Sequence, residues 1–359
     1  MEIDGGPYRS CDGTGRGLAR LRKRASGFFE SLSVAELAQG AHRQRWIADW
    51  LGIAEGYRTR ARSARENGLA QNAQEAWLCA LTSLEVVRNL SCPGDSGSLD
   101  LAGNVGSGLT GFEKDAGPAI ERVTIGSSDD GVLTGLYLPA FHRDAAAPVV
   151  VCVSDRESLG SMASRLLSAS YRGGVSLLLV DAGDPSSRPS GSPEYILQCW
   201  LDYLVMRADA DPQRIAIYGE GVGAIHASRL ALSDRRIAAA VCDGGVLTPI
   251  IRRASWHWTI GQGEGATDGA STGSSLPSRR IPCPLLVVVG SRSMMMEEDA
   301  LALQASYRQV GADCAVVVPN RIPHPLGEVE NFAAVDDFIF EWLGSKLGAA
   351  RRFDSVTYL

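Results

Sequence analysis

The chain has 359 residues, of which 45% are hydrophobic and 21% charged, a balance typical of a globular protein with one large domain and a smaller one. Its formal net charge of -6 argues against nucleic acids and anionic membrane surfaces as partners, because both are bound by clustered basic residues. The N-terminus has no apolar signal region, and no run approaches the roughly 20 apolar residues that span a bilayer, so we expect a cytoplasmic protein.

Eight cysteines are scattered along the chain without the C-x-x-C or Cys/His spacing of a metal site. Three of them, Cys152, Cys242 and Cys314, lie in apolar strand-like segments, which predicts small buried side chains in a reducing compartment. Arginine far outnumbers lysine, and alanine and glycine are abundant, which suggests a G+C-rich bacterial genome.

The N-terminal third of the chain predicts helices. Residues 1–26 are expected to be a flexible leader, because most of them are glycine or polar. Residues 27–115 are expected to form a small helical domain with a linker. Ser33 and Glu36 have the spacing of a capping box, and residues 72–88 carry apolar side chains at helical spacing.

Three tryptophans of this region, Trp46, Trp50 and Trp77, are predicted to lie in the core of the helical domain. Residues 91–111 are rich in glycine and serine, which is typical of a loop or linker. Near residue 120 the apolar spacing changes, and this change marks the start of a second and larger domain, residues 116–350.

The larger domain predicts strands that alternate with helices. It starts with a β-hairpin, ERVTIG and VLTGLYLP, joined by SSDDG. Six further strands are predicted: PVVVCV from residue 148, VSLLLVD from 175, RIAIYG from 214, AAAVCD from 238, PLLVVVG from 284 and CAVVVP from 314. Helices are predicted near residues 157–170, 193–207, 221–232, 297–310 and 331–347. This alternation predicts a mostly parallel central sheet with helices on both faces.

Residues 245–281 interrupt the alternation and are predicted to be a lid insertion over the carboxyl ends of the strands. The first part is apolar and aromatic, and its Trp256, His257 and Trp258 suit the wall of a substrate pocket or simple packing. The second part is a Gly/Ser tract, which predicts either a mobile lid or disorder.

The stretch RIAIYGEGVGAIHASRLAL, residues 214–232, predicts a strand, a very tight turn and a helix. This is the outline of a nucleophile elbow, in which the glycines of G-x-S-x-G allow a strained turn that lifts a serine above the sheet. With the hairpin in front and the elbow after the third parallel strand, the predicted architecture is an α/β-hydrolase fold. Gly221 stands at the serine position. Because glycine has no hydroxyl, Ser-His-Asp hydrolysis through an acyl-enzyme is excluded at this position.

Four segments carry a resemblance to a known family: ARSARENGLAQNA from residue 61, GVLTGLYLPA from 131, ADADPQRIAIYGEGVG from 208 and SDRRIAAAV from 233. They resemble the branch of the α/β-hydrolase superfamily that contains dihydroxypseudooxynicotine hydrolase and the fungal enzymes that shorten polyketides by carbon–carbon bond cleavage. The resemblance runs from about residue 27 to residue 347. It implies a helical domain before the hydrolase core and a homodimer supported by that domain.

Carried over position by position, the resemblance implies a degenerate catalytic triad. The nucleophile position is Gly221, and Ser293 in GSRSM stands where the triad aspartate is expected. The triad histidine is retained as His324. The first oxyanion loop reads VSDRES from residue 153, so Ser154 and Asp155 replace the usual glycines while their backbone remains a candidate donor.

The best candidate for chemistry is His324, as a general acid and base facing the space left at Gly221, because imidazole titrates near neutrality. The alternative is a loop histidine with a structural hydrogen bond. Asp243 ends the strand AAAVCD and is a candidate to orient His324, or else it caps a turn. The backbone N–H of Val222 is the candidate oxyanion donor.

Further pocket candidates flank the elbow and the oxyanion loop. Glu220 is either a pocket residue or a buried, paired carboxylate that points away from the pocket. Asp155 and Arg156 either bind substrate or form a solvated charge cluster with Glu157. No cofactor is expected, because the G-x-G-x-G of the elbow lacks the G-x-G-x-x-G spacing and downstream acid of a dinucleotide site.

Three functions fit these residues. The first is a noncovalent cyclase, dehydratase or other lyase or isomerase acting on a polyketide-like secondary metabolite. The second is an ester or carbon–carbon hydrolase that attacks with water, and the third is a catalytically inactive small-molecule-binding protein. The retained His324 favours an enzyme, and the loss of the acid-turn aspartate favours non-hydrolytic chemistry.

Overall fold

A sheet of eight strands forms the centre of the protein in a computed structural model that describes residues 15–91, 101–115, 120–126, 132–140, 146–154, 157–181, 193–246, 280–324 and 327–348. In chain order the strands are β1 (Glu121–Gly126), β2 (Val132–Leu138), β3 (Ala147–Ser154), β4 (Ser176–Asp181), β5 (Ala210–Glu220), β6 (Ile237–Asp243), β7 (Leu285–Val288) and β8 (Cys314–Val317). Their order in the sheet is β1-β2-β4-β3-β5-β6-β7-β8.

The pairing of the strands confirms the predicted fold class. β1 and β2 form the predicted antiparallel hairpin, with Glu121 opposite Tyr137. β2 also runs antiparallel to β4, whereas the pairs from β4 through β3 to β8 are all parallel. Every residue of β3 is buried, as expected for a continuous apolar strand between two layers of helices.

Ten helices are described. They are α1 (Arg16–Ser31), α2 (Val34–Ala38), α3 (Gly40–Glu66), α4 (Ala70–Leu90), α5 (Leu101–Asp115), α6 (Leu159–Gly173), α7 (Pro193–Val205), α8 (Val222–Ser233), α9 (Glu297–Arg308) and α10 (Phe332–Lys346). Apolar side chains of α7, α8 and α9 share a core with one face of the sheet. On the other face, α6 and α10 share a second core with the sheet and with α1, α3 and α4. The helical N-terminal region therefore lies over one face of the sheet.

Helix α1 corrects the expected flexible leader of residues 1–26, because the helix already begins at Arg16. Leu18, Leu21 and Phe29 are buried, and their spacing places them on one side of the helix. That side packs against α4 and α10. Because the segment is rich in glycine and arginine, this row of apolar residues was not identified from the sequence.

Helix α5 corrects the part from Leu101 onward of the linker that was expected over residues 91–111, and residues 92–100 of it lie outside the described residues. Its glycines serve close packing rather than flexibility: a Cβ on Gly111 would lie 2.3 Å from the ring of Trp77, and a Cβ on Gly108 would lie 2.8 Å from Leu81. Glycine costs helix stability, but here it lets two helices approach closely. Trp77 and Trp50 are buried as predicted, whereas Trp46 is half-buried at the edge of the same core.

The predicted capping box is confirmed. The Oγ of Ser33 accepts a hydrogen bond from the Glu36 N–H, and the Glu36 carboxylate accepts one from the Ser33 N–H. The helix that it starts ends at Ala38, and α3 begins at Gly40. None of the described helices is both long and apolar enough to cross a bilayer.

After β8 the chain forms a small antiparallel hairpin of β9 (Arg321–His324) and β10 (Gly327–Glu330). The backbone of His324 ends β9 opposite Gly327. The hairpin contacts α2 and α4, so it lies beside the helical N-terminal region. His324 was expected in a loop after the last strand, and the chain instead places it at the tip of this hairpin.

Candidate active site

The predicted elbow is present between β5 and α8. β5 ends at Glu220 and α8 begins at Val222, so the whole turn is made by Gly221, whose φ is 56° and ψ is -122°. A side chain is strained in this conformation, and glycine is not. The N–H of Gly221 donates a hydrogen bond of 2.8 Å to the carbonyl of Asp243 at the end of β6.

The glycines around the turn lie so close to other backbone atoms that no side chain would fit at their positions. A Cβ on Gly219 would lie 2.3 Å from the carbonyl oxygen of Gly223, and a Cβ on Gly223 would lie 2.4 Å from the carbonyl oxygen of Val153. A Cβ on Gly244 would lie 2.8 Å from the carbonyl oxygen of Gly221. The elbow is therefore held tightly between the ends of β3 and β6, although its nucleophile is absent.

We expect Gly221→Ser to lower the free energy of unfolding by about 1 to 3 kcal/mol, because serine must take up the strained φ and ψ of the elbow. Urea unfolding of the purified variant measures this loss. Gly27→Ser is the matched control, since a Cβ at that position meets nothing within 4 Å and its loss should be near zero. Equal stability of Gly221→Ser and the wild type would contradict the strain.

A network of buried charges lies against the elbow. Glu220 and Asp243 are opposite each other in β5 and β6, so their side chains lie on the same face of the sheet. Both are buried, and the hydroxyl of Tyr218 donates a hydrogen bond of 2.5 Å to Glu220 and lies 3.4 Å from Asp243. Glu220 is also paired with the guanidinium of Arg165 on α6.

The buried guanidinium of Arg165 is the centre of this network. Besides Glu220, it pairs with Asp336 of α10 at 2.6 Å and with Glu157, just before α6, at 3.4 Å. Arg165 thus joins the elbow, the last helix and the segment after β3. Burial of an arginine requires such pairing, because an unpaired charge inside a protein is costly.

A second arginine, Arg292, occupies the turn after β7 in which the triad aspartate was expected. Its guanidinium donates a hydrogen bond of 2.9 Å to Asp243 and lies 3.7 Å from Glu220. The neighbouring Ser293 hydroxyl is used inside the turn, where it donates to the carbonyl of Met295 at 2.9 Å. The turn therefore directs a cation, and not an acid, toward the ends of β5 and β6.

The same turn is tied to the hairpin that carries His324. The carboxylate of Glu330 in β10 accepts hydrogen bonds from the N–H of Ser291 at 3.0 Å and from its hydroxyl at 2.6 Å. A Cβ on Gly290 would lie 2.6 Å from that carboxylate. These contacts fix the hairpin at the carboxyl edge of the sheet. The proton-transfer role of His324 stays a prediction.

The carboxyl groups of the network differ in charge state. Burial raises the pKa of Asp243 to about 6, and the nearby Glu220 and Glu330 add to the rise while Arg292 opposes it. Burial also raises the pKa of Asp336 to about 7 against the opposing charge of Arg165. Burial would raise the pKa of Glu220 too, but Arg165 and Arg292 outweigh it and lower that pKa. Asp243 and Asp336 thus take up a proton at a higher pH than an ordinary aspartate does, whereas Glu220 stays charged.

In each of three side chains, one carboxyl oxygen has no hydrogen-bond partner among the described residues: Glu220, Asp243 and Asp336. This is consistent with the raised pKa values of the two aspartates, because an unsatisfied buried oxygen disfavours the charged form. The described residues contain no group of three or more His, Cys, Asp or Glu arranged to hold a metal ion.

The remaining predicted site residues lie at the same edge or outside the described residues. Ser154 ends β3, is buried, and its Oγ accepts a hydrogen bond of 3.3 Å from the Glu157 N–H. Val222 begins α8 with 39% of its surface exposed. Outside the described residues lie Asp155, Arg156, Trp256, His257, Trp258 and residues 247–279 of the predicted lid.

Arg165 and Arg292 were missed by the sequence analysis. A signal for Arg165 exists, because it is a single charged residue on the apolar side of α6, where Met162, Ala163 and Leu166 are buried. Arg292 lies next to Ser293, the position at which the triad acid was expected. The turn was therefore located from the sequence, but the residue in it that contacts Asp243 was not identified. No sequence pattern joins either arginine to Asp243 or Glu220, since they meet only in the folded chain.

The fold and the elbow define a protein of the α/β-hydrolase fold. The solved structure of 2,6-dihydroxy-pseudo-oxynicotine hydrolase is similar to this chain with a TM-score of 0.50 and 15% identity, over 86% of this chain and 90% of that one. The AtxE2 isopeptidase is similar with a TM-score of 0.49 and 17% identity, over 74% of this chain and 44% of that one.

Two uncharacterised proteins from two strains of Mycobacterium tuberculosis are each 33% identical to this chain over 151 residues. The match covers 39% of this chain and 50% of each relative, so the chain spans about half the length of the curated relatives it matches. No protein-family model matches the chain.

Proposed function

We propose that this protein is an enzyme that converts a small organic molecule by proton transfer, without forming an acyl-enzyme. The observation that carries the proposal is Gly221 at the nucleophile position of an intact elbow. The turn keeps the form that presents a reacting group to the space above the sheet, while the atom that would attack a carbonyl is absent.

The acid turn supports chemistry other than Ser-His-Asp hydrolysis. Arg292 stands beside the position where an acid would orient the histidine, and a guanidinium has donors only. It therefore cannot accept the N–H of an imidazole as a triad aspartate does. This favours His324 as an independent acid and base rather than as the middle member of a triad.

The reaction that we propose is an isomerisation, cyclisation or dehydration of a polyketide-like compound. His324 removes a proton next to a carbonyl of the substrate and returns a proton to the carbon or oxygen that receives it. The positive end of α8, which begins at Val222, stabilises the negative charge that develops on the carbonyl oxygen. The substrate class rests on the family resemblance.

Hydrolysis by a bound water is the second candidate. It is favoured by the likeness to 2,6-dihydroxy-pseudo-oxynicotine hydrolase, which extends over most of both chains. The volume left by the missing serine side chain is where such a water would lie, and His324 would activate it. The two candidates differ in the mass of their products.

The test is mass spectrometry of a metabolite extract, from a strain lacking the gene, after incubation with the purified protein. We expect a product of unchanged mass or one lighter by one water, and we expect His324→Ala to lower its rate of formation by about 100-fold or more. His42→Ala is the matched control, because His42 is exposed on α3.

Other outcomes decide against the proposal. Fragments that together gain one water would establish the hydrolase. A compound that co-purifies without being changed would establish a binding protein. Full turnover by His324→Ala would remove the histidine from the mechanism.

A further inference from the structure

Helix α1 carries a row of cations on its exposed side. Arg16, Arg20 and Lys23 follow one another at spacings of four and three residues, so they lie on one side of the helix, and Arg24 lies next to them. All four residues are exposed. The row is about 12 Å long, because an α-helix rises about 1.5 Å per residue. We call these four residues the basic row of α1.

The cation that α1 buries is paired, whereas the basic row is not. Arg22 lies on the opposite side of the helix, is 1% exposed, and pairs with Asp337 of α10 at 2.6 Å. In the basic row, Arg24 lies over the ring of Trp50. Within the described part of the chain, the side chains of the other three members form no ion pair or hydrogen bond. The charges of the basic row are therefore available to a partner.

The basic row does not stabilise the helix that carries it. The first turn of α1 starts with Arg16 and contains no acidic residue, and the N-cap residue Gly15 forms no side-chain capping hydrogen bond. A cation at this end is unfavourable, because the N-terminus of a helix is partly positive. Like charges three or four residues apart on a helix also repel one another. A local arrangement that opposes folding is typical of a functional surface.

The charge of the whole chain limits which anion fits the row. The net charge is -6, so the rest of the protein is negative on balance. A nucleic acid is charged along its whole length and would extend beyond the row onto this negative surface. An anionic membrane would do the same, and the apolar side chains of Leu18, Leu21 and Phe29 are buried and cannot enter the lipid. A short acidic segment of a protein contacts the row alone.

We propose that the basic row of α1 binds an acidic helical segment of a partner protein. Carboxylates three or four residues apart on such a helix have the same spacing along its axis as the cations of the row. The apolar side of α1 packs against α4 and α10, so the partner binds on the side of α1 that faces away from these helices. The inference is independent of the proposed function and of the candidate active site.

The test is fluorescence anisotropy of a labelled peptide with the full-length protein at low ionic strength, where charge pairs are least screened. The probe is an alanine-rich helical peptide of about 20 residues with glutamate at every fourth position. We expect saturable binding, and we expect Arg20→Ala/Lys23→Ala to weaken it by about tenfold. Arg235→Ala/Arg308→Ala is the matched control, because it removes the same charge from exposed positions outside the row.

Four results would overturn the inference. The first is no binding of the peptide, and the second is an equal loss in both double variants, which would show a response to net charge alone. The third is tighter binding of an oligonucleotide, or of vesicles of phosphatidylserine and phosphatidylcholine, that Arg20→Ala/Lys23→Ala abolishes. The fourth is self-association of the wild type in sedimentation that the same variant abolishes, since the partner would then be a second copy of this chain.

Thermal unfolding of the same variants tests whether the row serves the fold. We expect Arg20→Ala/Lys23→Ala to raise the Tm by about 1 °C, because it removes like charges from the first turns of α1. A Tm at least about 3 °C below that of the wild type would show that the cations stabilise the folded chain. That result would remove the reason for assigning them to a partner.

Discussion

Replacing Arg165 by methionine is expected to lower the free energy of unfolding by about 3 to 5 kcal/mol. Methionine fills a similar volume but removes the one cation that Glu157, Glu220 and Asp336 share. Removing one partner from a buried ion network costs more than the network contributes as a whole, because the remaining charges stay buried and uncompensated. Urea unfolding, followed by circular dichroism, measures the loss.

Arg229→Met is the matched control for this substitution. Arg229 is 49% exposed and pairs with Glu194 at 3.1 Å, and exposed pairs of this kind contribute about 1 kcal/mol or less. A loss below 1 kcal/mol for Arg165→Met would mean that the carboxyl groups around it take up protons at little cost. In that case the variant would take up more protons on folding than the wild type does.

Protein stability is expected to fall as the pH rises from about 4 to about 8. Asp243 and Asp336 have pKa values raised from 3.8 to about 6 and about 7, mainly by burial. Between 3.8 and these values the folded chain binds more protons than the unfolded chain, so the free energy of unfolding decreases with pH through this window. At about 1.4 kcal/mol for each pKa unit, the two raised pKa values together correspond to a decrease on the order of 7 kcal/mol.

Asp336→Asn should remove most of this decrease. Asparagine resembles the protonated acid, so the variant should match the wild type near pH 4 and exceed its free energy of unfolding by about 4 kcal/mol near pH 8. Asp313→Asn is the control, because Asp313 is half exposed and pairs with Lys346 at the surface. A less stable Asp336→Asn at pH 8 would show that its ion pair with Arg165 outweighs the cost of burial.

Glu157 and Glu220 have the opposite effect on how the free energy of unfolding depends on pH. Their pKa values are lowered by the neighbouring arginines, so the stability that they contribute is present above about pH 4.5 and is lost as the pH falls further. The two effects together place the expected stability maximum near pH 4 to 5, where the glutamates are charged and the aspartates are protonated.

The strands of the sheet and their mostly parallel arrangement were predictable because the signal for each strand is local. Short continuous apolar runs rich in β-branched residues, such as PVVVCV, are typical of buried strands between helices, and the glycines of the elbow have a spacing that few other turns require. The same reasoning failed for α1 and α5. Glycine lowers helix propensity, so the glycines of α5 argued against a helix. The neighbouring residues do not show that Gly108 and Gly111 are needed because Leu81 and Trp77 lie too close for a side chain.

By itself, the sequence determined the α/β-hydrolase architecture, the position of the elbow and the absence of a nucleophile at Gly221. Each of these follows from neighbouring residues, since strand periodicity and turn geometry involve a few positions along the chain. The tertiary structure alone decided what surrounds the elbow. Arg165 meets Asp336 across 171 positions and Arg292 meets Asp243 across 49. Such pairs depend on which strand and helix ends the fold brings together, and their energies depend on burial that no sequence pattern specifies.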